Sequence, residues 1–199
     1  MFSRVMHAAM ASAVVTAAGG LAAHAQSPAD FYKGKTVNVI VGFSPGGGYD
    51  QYARVLARHM GNHIPGNPVL VVQNAPGAGS LTAVRRIEGN LPKDGSAIVT
   101  FNPALITESV TEPAKTNFKF TDVAFIGSVT RDFRVCFMWH ATGVKTWDEA
   151  MSRKEIIVGS TARGTGAYVN QAILRNVFGM KIRQIMGYPG SAEQRLGIE

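Results

Sequence analysis

The chain has 199 residues, of which 46% are hydrophobic and 17% charged, a globular composition sufficient for one domain of ordinary size or two small ones. Its sole cysteine, Cys136, excludes an internal disulfide, and the apolar run around it predicts a buried thiol. The formal charge is +7, but the basic residues are scattered, without aromatic interleaving or zinc-finger spacing, so we expect small anions rather than nucleic acid as partners.

The first 25 residues have the pattern of a secretory signal peptide. Arg4 gives a short positive region, residues 5–21 are apolar and alanine-rich, and Ala23-His24-Ala25 is a cleavage site of the A-x-A type. A membrane anchor is the alternative, but polar residues and glycines interrupt the apolar stretch. We therefore expect cleavage after Ala25 and an exported product.

A strand, a glycine hinge and a helix come next. Residues 36–43 are β-branched and apolar enough for a buried strand, and Ser44-Pro45-Gly46-Gly47-Gly48 breaks it. From Tyr49 the apolar residues recur at helical spacing, at Ala53, Leu56, Ala57 and Met60. A strand end that feeds a helix N-terminus through bare backbone is a common way to bind an anion.

Three more units repeat this order, over residues 69–91, 156–177 and 181–199. Their helices are expected to bury Leu81, Val84, Leu91, Val169, Ala172, Ile173 and Val177. Ser191 is expected to cap the last helix, with Gln194 completing a capping box. Because parallel neighbours need crossover connections, this alternation of strands and helices predicts parallel α/β sheets.

The middle of the chain is less periodic. Residues 97–101 read as a third strand, and residues 102–121 as a short helix and an irregular crossover. Residues 123–129 and 133–139 are two adjacent strand candidates. Thr146 and Glu149 then stand at capping-box spacing and predict the start of another helix.

Two sets of units joined by this middle predict two α/β lobes facing one cleft, residues 26–121 and 122–199. The last helix contains about two turns before Glu199 and no terminating signal, so we expect the chain to be a fragment truncated in its second lobe. His59 and His63 stand near each other at a helix end without a nearby carboxylate or cysteine, which predicts no metal site.

Four motifs together resemble those of the substrate-binding receptors of tripartite tricarboxylate transporters, also called Bug receptors. They are Phe-Ser-Pro-Gly-Gly-Gly-Tyr-Asp at 43–50, Asn-Ala-Pro-Gly-Ala-Gly at 74–79, Pro-Lys-Asp-Gly at 92–95 and Tyr-Pro-Gly-Ser-Ala at 188–192. The resemblance implies a two-lobed periplasmic-binding-protein fold of the Venus-flytrap type. Chains of that family are longer, so it also implies that the first lobe lacks strands contributed by a C-terminal part.

The resemblance implies a periplasmic receptor, monomeric and without cofactor or catalytic activity, that captures a small mono-, di- or tricarboxylate and delivers it to the permease subunits of the transporter. Its ligand-binding positions correspond to Ser44, Gly47, Gly48, Tyr49, Asn74, Gly77, Ala78, Ser160, Gly164, Thr165 and Tyr188, and the chemistry of Asp50 and Arg163 adds these two as candidates. Arg163 is a candidate partner for a second carboxylate. Asp50 stands in the first turn of a helix, where capping is favoured over ligand contact unless the ligand carries an amine or hydroxyl.

Two positions depart from the family pattern, and two alternatives follow the resemblance. Tyr49 stands where a small hydroxyl residue is usual, and Arg163 lies in a loop that is more often uncharged.

A periplasmic sensor that reports to a membrane signalling partner is one alternative. A hydrolase acting through Ser160 is the other, although the chain has neither a G-x-S-x-G motif nor a P-loop lysine.

Overall fold

The computed structural model describes residues 26–131 and 133–199, so the predicted signal peptide lies outside the described residues. Within them, five strands form two parallel sheets, which confirms the α/β prediction. The first sheet contains β1 (Thr36–Val41), β2 (Val69–Asn74) and β3 (Ala97–Thr100), with β1 in the centre. The second sheet pairs β4 (Ile156–Gly159) with β5 (Ile182–Ile185).

Helices connect these strands. In chain order they are α1 (Pro28–Tyr32), α2 (Gly48–Met60), α3 (Leu81–Gly89), α4 (Ala104–Thr111), α5 (Pro113–Thr116), α6 (Trp147–Ser152), α7 (Gly166–Asn176) and α8 (Ser191–Ile198). Short 3₁₀ helices occupy Gly61–His63, Ala78–Ser80, Phe120–Asp122 and His140–Thr142. Among the described residues, no helix has both the length and the apolar character needed to cross a bilayer.

The core of the first sheet lies on both faces of β1. Val39 and Val41 pack against Ala53 of α2, whereas Ile40 points the other way and packs against Ala83 of α3. A strand covered on both faces needs a continuous apolar run, and β1 has one at its carboxyl end, where Val39, Ile40 and Val41 are all buried. This packing fixes the carboxyl end of β1, where the glycine hinge begins.

The second sheet has a smaller core. Ala150 of α6 packs with Ile156 of β4, Ile182 of β5 and Met180, which precedes β5. The capping box predicted for α6 is confirmed, because the Thr146 hydroxyl accepts from the Glu149 N–H and the Glu149 carboxylate accepts from the Thr146 N–H.

The strands predicted at residues 123–129 and 133–139 are wrong. No described residue between 123 and 139 lies in a strand, and the side chain of Phe133 is 93% exposed. A β-branched and aromatic run becomes a strand only when a neighbouring strand completes its hydrogen bonds, and neither β3 nor β4 pairs with this one. The buried thiol is wrong for the same reason, since Cys136 is exposed.

The face of α7 that packs on the sheet also differs from the prediction. Val169, Ile173 and Val177 are exposed, whereas Leu174 packs on the core of the second sheet. The side chain of Gln171, one turn before Leu174 and on the same face of the helix, donates to the carbonyl of Gly159 at the end of β4.

Candidate functional site

Four loops at the carboxyl ends of parallel strands meet at one place, which we call the junction. Loop 1 (residues 42–47), loop 2 (75–80), loop 3 (160–165) and loop 4 (186–190) follow β1, β2, β4 and β5 and lead into α2, α3, α7 and α8. A Cβ placed on Gly47 would lie 2.9 Å from the Ser191 hydroxyl, and one placed on Gly79 would lie 2.8 Å from Cγ2 of Thr165. Loop 1 therefore contacts the start of α8, and loop 2 contacts loop 3.

Hydrogen bonds join loop 1 to loop 4 and α8. The Ser44 N–H donates to the Pro189 carbonyl at 3.3 Å, and the Ser44 hydroxyl donates to Oε2 of Glu193 at 2.7 Å. The Gly48 N–H donates to the Ser191 hydroxyl at 3.2 Å. The predicted capping role of Ser191 is wrong, because Gly190 is the N-cap residue and the hydroxyl of Ser191 serves α2 instead.

Asp50 holds loop 1 against the end of β2. Its carboxylate accepts from the Gly46 N–H, from Nε of Arg54 and from Nδ2 of Asn74, at 2.8–2.9 Å. Asn74 also donates to the Phe43 carbonyl at 2.9 Å. The residue Asp50 is 2% exposed, and this burial opposes ionisation, but the hydrogen bonds outweigh it and lower the pKa of Asp50 to about 2. Asp50 and Asn74, two of the predicted site residues, thus brace loop 1.

Tyr49 and loop 2 complete the support of loop 1. The Tyr49 ring stacks on Phe43 with 4.4 Å between centroids. In loop 2, Ala78 and Ser80 have φ values of 47° and 81°, a left-handed backbone that costs free energy for non-glycine residues. A Cβ on Gly42 would overlap the side chain of Ser80, so the two loops are in close contact.

Ser160 is a predicted site residue with a buried hydroxyl. Its backbone N–H donates to the Ile185 carbonyl at 2.8 Å, and its carbonyl accepts from the Tyr188 N–H at 3.3 Å. The residue is fully buried, yet its hydroxyl contacts no donor or acceptor in the part of the chain that the structure describes. A buried hydroxyl left unpaired costs free energy, so it is a marked feature of the junction.

Two further predicted residues, Thr165 and Gly164, lie in loop 3. Thr165 is buried and donates its hydroxyl to the Ala162 carbonyl at 2.8 Å. A Cβ on Gly164 would lie 2.7 Å from the carboxylate of Glu108, which is buried at α4 and ion-paired with Lys115. The hydrogen bond from Lys115 to Glu108 raises the pKa of Lys115. Glu108 therefore brings a carboxylate from the first half of the chain to loop 3.

Arg163 lies on the wall of a surface depression of about 430 Å³, together with Arg175 and Arg183. Its side chain forms no ion pair with any residue in the two described ranges. The residues that meet across the junction are instead Gly79 with Thr165, Gly47 with Ser191, and Ser44 with Glu193. Arg163 thus lies with other arginines on the wall of this depression, and it is not among the residues that meet across the junction.

Sequence reasoning missed Ser191, Glu193 and Glu108 as parts of the junction. Their contacts join residues far apart in the chain, for example Ser44 with Glu193, and no local spacing encodes such pairs. Glu193 did carry one signal, since an acidic residue in the first turn of a helix is favoured by the helix dipole.

The donors that meet at the junction favour a small anion. The N-termini of α2, α3, α7 and α8 all begin there, and each presents backbone N–H groups and the positive end of a helix dipole. The described ranges contain no cluster of three histidine, cysteine or carboxylate residues that could hold a metal, and His59 and His63 are exposed. The donor set is therefore suited to an oxyanion such as a carboxylate.

Known proteins share parts of this sequence and this architecture. No protein-family model matches the chain. The UPF0065 protein in gbd 5'region of Cupriavidus necator is 38% identical over 81 residues, which are 40% of this chain and 24% of that protein. The structure of the periplasmic binding protein BugD matches with a TM-score of 0.55 and 16% identity, covering 84% of this chain and 56% of that one.

Two further structures match in the same way. Rpa4515 of R. palustris, solved with adipate, has a TM-score of 0.59 and 17% identity, over 82% of this chain and 56% of that chain. The structure of a periplasmic transporter matches with a TM-score of 0.56 and 19% identity, and the match covers 84% of this chain and 57% of that chain. The chain thus spans just over half the length of these solved proteins and about a quarter of the curated relative. It has the fold of the Bug-type periplasmic binding proteins, which confirms the resemblance predicted from its motifs.

Proposed function

We propose that the protein is a periplasmic receptor that binds a small organic carboxylate at the junction. The convergence of four helix N-termini at the carboxyl ends of two sheets carries this proposal, because it concentrates N–H donors and positive dipole ends at one point. In parallel α/β sheets, ligands bind outside the carboxyl ends of the strands. The adipate with which Rpa4515 was solved supports a carboxylate as the ligand class.

The hydroxyl of Ser160 is the atom that we assign to the ligand first. It is buried without a partner among the described residues, so a carboxylate oxygen that accepts from it would remove an existing penalty. Hydrogen bonds to a charged group contribute about 1.5–3 kcal/mol each, and a micromolar affinity needs about 8 kcal/mol net. A few donors of the junction therefore suffice. Those that we propose around Ser160 are Ser44, Gly47, Gly48, Gly77, Ala78, Gly164, Thr165 and Tyr188.

Binding requires loops 1 and 2 to separate from loops 3 and 4, because they are in contact at Gly47 and Gly79. We propose that residues 26–121 and 122–199 act as two lobes that part to admit the ligand and close on it. Removal of residues 1–25 as a signal peptide and delivery of the ligand to a membrane permease belong to the same proposal. Deleting the gene should then abolish uptake of the ligand, whereas unchanged uptake with a lost transcriptional response would identify a sensor.

Calorimetric titration and thermal unfolding of the full chain test the binding. Adipate should raise the unfolding temperature, since a ligand at 100 times its Kd stabilises by about 2.7 kcal/mol, and the neutral diamide of adipate should not. Ser160→Ala should weaken adipate binding about tenfold, the loss of one charge-assisted hydrogen bond. Ser152→Ala is the control, because that hydroxyl is exposed on α6. Equal binding of adipate and its diamide would refute the proposal. Failure to bind any acid in a panel of mono-, di- and tricarboxylates would also refute it.

A further inference from the structure

The end of loop 4 and the start of α8 supply acceptors to donors of loop 1 and of α2. The N–H and hydroxyl of Ser44 in loop 1 are taken by Pro189 and Glu193, and the N–H of Gly48, the first residue of α2, is taken by Ser191. All three acceptors lie within five consecutive residues of the chain. The segment 189–193 therefore accepts hydrogen bonds from Ser44 and Gly48, as an anionic ligand would.

One of these acceptors is itself a carboxylate. Oε2 of Glu193 lies 2.7 Å from the Ser44 hydroxyl, a length typical of a charge-assisted O–H···O⁻ bond. Ser44 is 5% exposed, and a Cβ placed on Gly190 would overlap its hydroxyl. No space is left at this hydroxyl for a second carboxylate while Glu193 occupies it.

Among the described residues, no cation holds the Glu193 carboxylate elsewhere. Ion pairs within the two described ranges use Glu108, Glu112, Glu155 and Glu199 among the glutamates, and Glu193 is absent from them. Its side chain lies in the first turn of α8, at the positive end of the helix dipole. The Glu193 carboxylate thus accepts from the Ser44 hydroxyl the hydrogen bond that a ligand carboxylate would accept.

We propose that Glu193 is an internal competitor that sets the affinity of the junction, so that a ligand carboxylate must displace it from Ser44. This inference rests on the proposed function and names a residue that determines its affinity. A receptor whose binding-competent state is a fraction of the population binds with an apparent Kd raised by that fraction. Weakening the Glu193 bond should therefore tighten binding at Ser44.

The test measures adipate affinity of the full chain carrying Glu193→Gln. The neutral amide keeps the size of the side chain but loses the charge, so the Kd for adipate should fall at least fivefold. Glu199→Gln is the matched control, because that glutamate lies at the end of the same helix and pairs with Arg195. Its Kd should equal that of the wild type.

A second pair of variants separates competition at Ser44 from a general effect of removing a negative charge. In the background Ser44→Ala neither the glutamate nor the ligand can use the hydroxyl, so Glu193→Gln should change the Kd less than twofold. An equal gain in both backgrounds would show a long-range charge effect and overturn the competition.

The remaining outcomes are also distinct. Wild-type binding with an unchanged or weaker Glu193→Gln variant, folded as judged by circular dichroism, overturns the inference and leaves the receptor function intact. Failure of wild type and variant alike to bind any acid of the panel refutes the receptor function, and the inference with it. Tighter binding that depends on Ser44 supports both.

Discussion

The loops of the two sheets differ in how completely their polar groups are hydrogen-bonded at the junction. Loops 1 and 2 are braced internally, by the bonds of Asp50 and by the Ser80 hydroxyl, which accepts from the buried Asn102 N–H at 2.9 Å. Loop 3 carries the Ser160 hydroxyl without a partner among the described residues. In the receptor that we propose, loops 1 and 2 are therefore held in place before the ligand binds, whereas the Ser160 hydroxyl gains its hydrogen bond from the ligand.

The largest effect that this contrast predicts is that of Asp50→Ala. The change leaves Asn74, Arg54 and the Gly46 N–H without their shared acceptor, so the free energy of unfolding should fall by about 3 kcal/mol. Urea unfolding followed by circular dichroism measures it. Asp148→Ala, an exposed first-turn aspartate of α6, should cost about 0.5 kcal/mol. Similar losses in the two variants would mean that loop 1 is not braced by Asp50.

A pair of serine variants should differ in sign. Ser80→Ala removes a buried hydrogen bond and should lower the free energy of unfolding by about 1–2 kcal/mol. Ser160→Ala removes a buried hydroxyl that has no partner in the described ranges, and it should leave the ligand-free protein unchanged or stabilise it by about 1 kcal/mol. Both are measured by urea unfolding without added acid. Equal destabilisation would show that Ser160 has a partner and would remove the contrast between the loops.

The order of strands, loops and helices was predictable from the sequence because it is local. A β-branched run followed by three glycines and an apolar 3.6-residue period defines β1, loop 1 and α2, and Thr146 with Glu149 defines the start of α6. Each of these signals lies within one element. The same holds for the position of Asp50 in a first turn, although its three donors were not predictable.

Contacts between distant segments were not predictable. Residues 123–129 and 133–139 have strand composition, but whether they pair depends on a neighbour that no local pattern reveals. The apolar stripe Val169, Ile173 and Val177 predicted the wrong face of α7, because the helix packs through Leu174 on residues of the second sheet that lie outside its own local pattern. Glu193 escaped notice for the same reason, since Ser44, its partner, lies in the other sheet's loop.

The last prediction concerns acid. The pKa of Asp50 is lowered from 3.8 to about 2, so its ionised form stabilises the folded state fully above pH 3.8, and this contribution disappears as the pH falls through about 2. The difference in unfolding free energy between wild type and Asp50→Asn should be constant from pH 7 to about pH 4 and should then shrink toward pH 2. Urea unfolding of both proteins at pH 7, 4, 3 and 2 measures this difference. A difference that stays constant down to pH 2 would show that the carboxylate of Asp50 gains nothing from its three donors, and loop 1 would then be no better braced than loop 3.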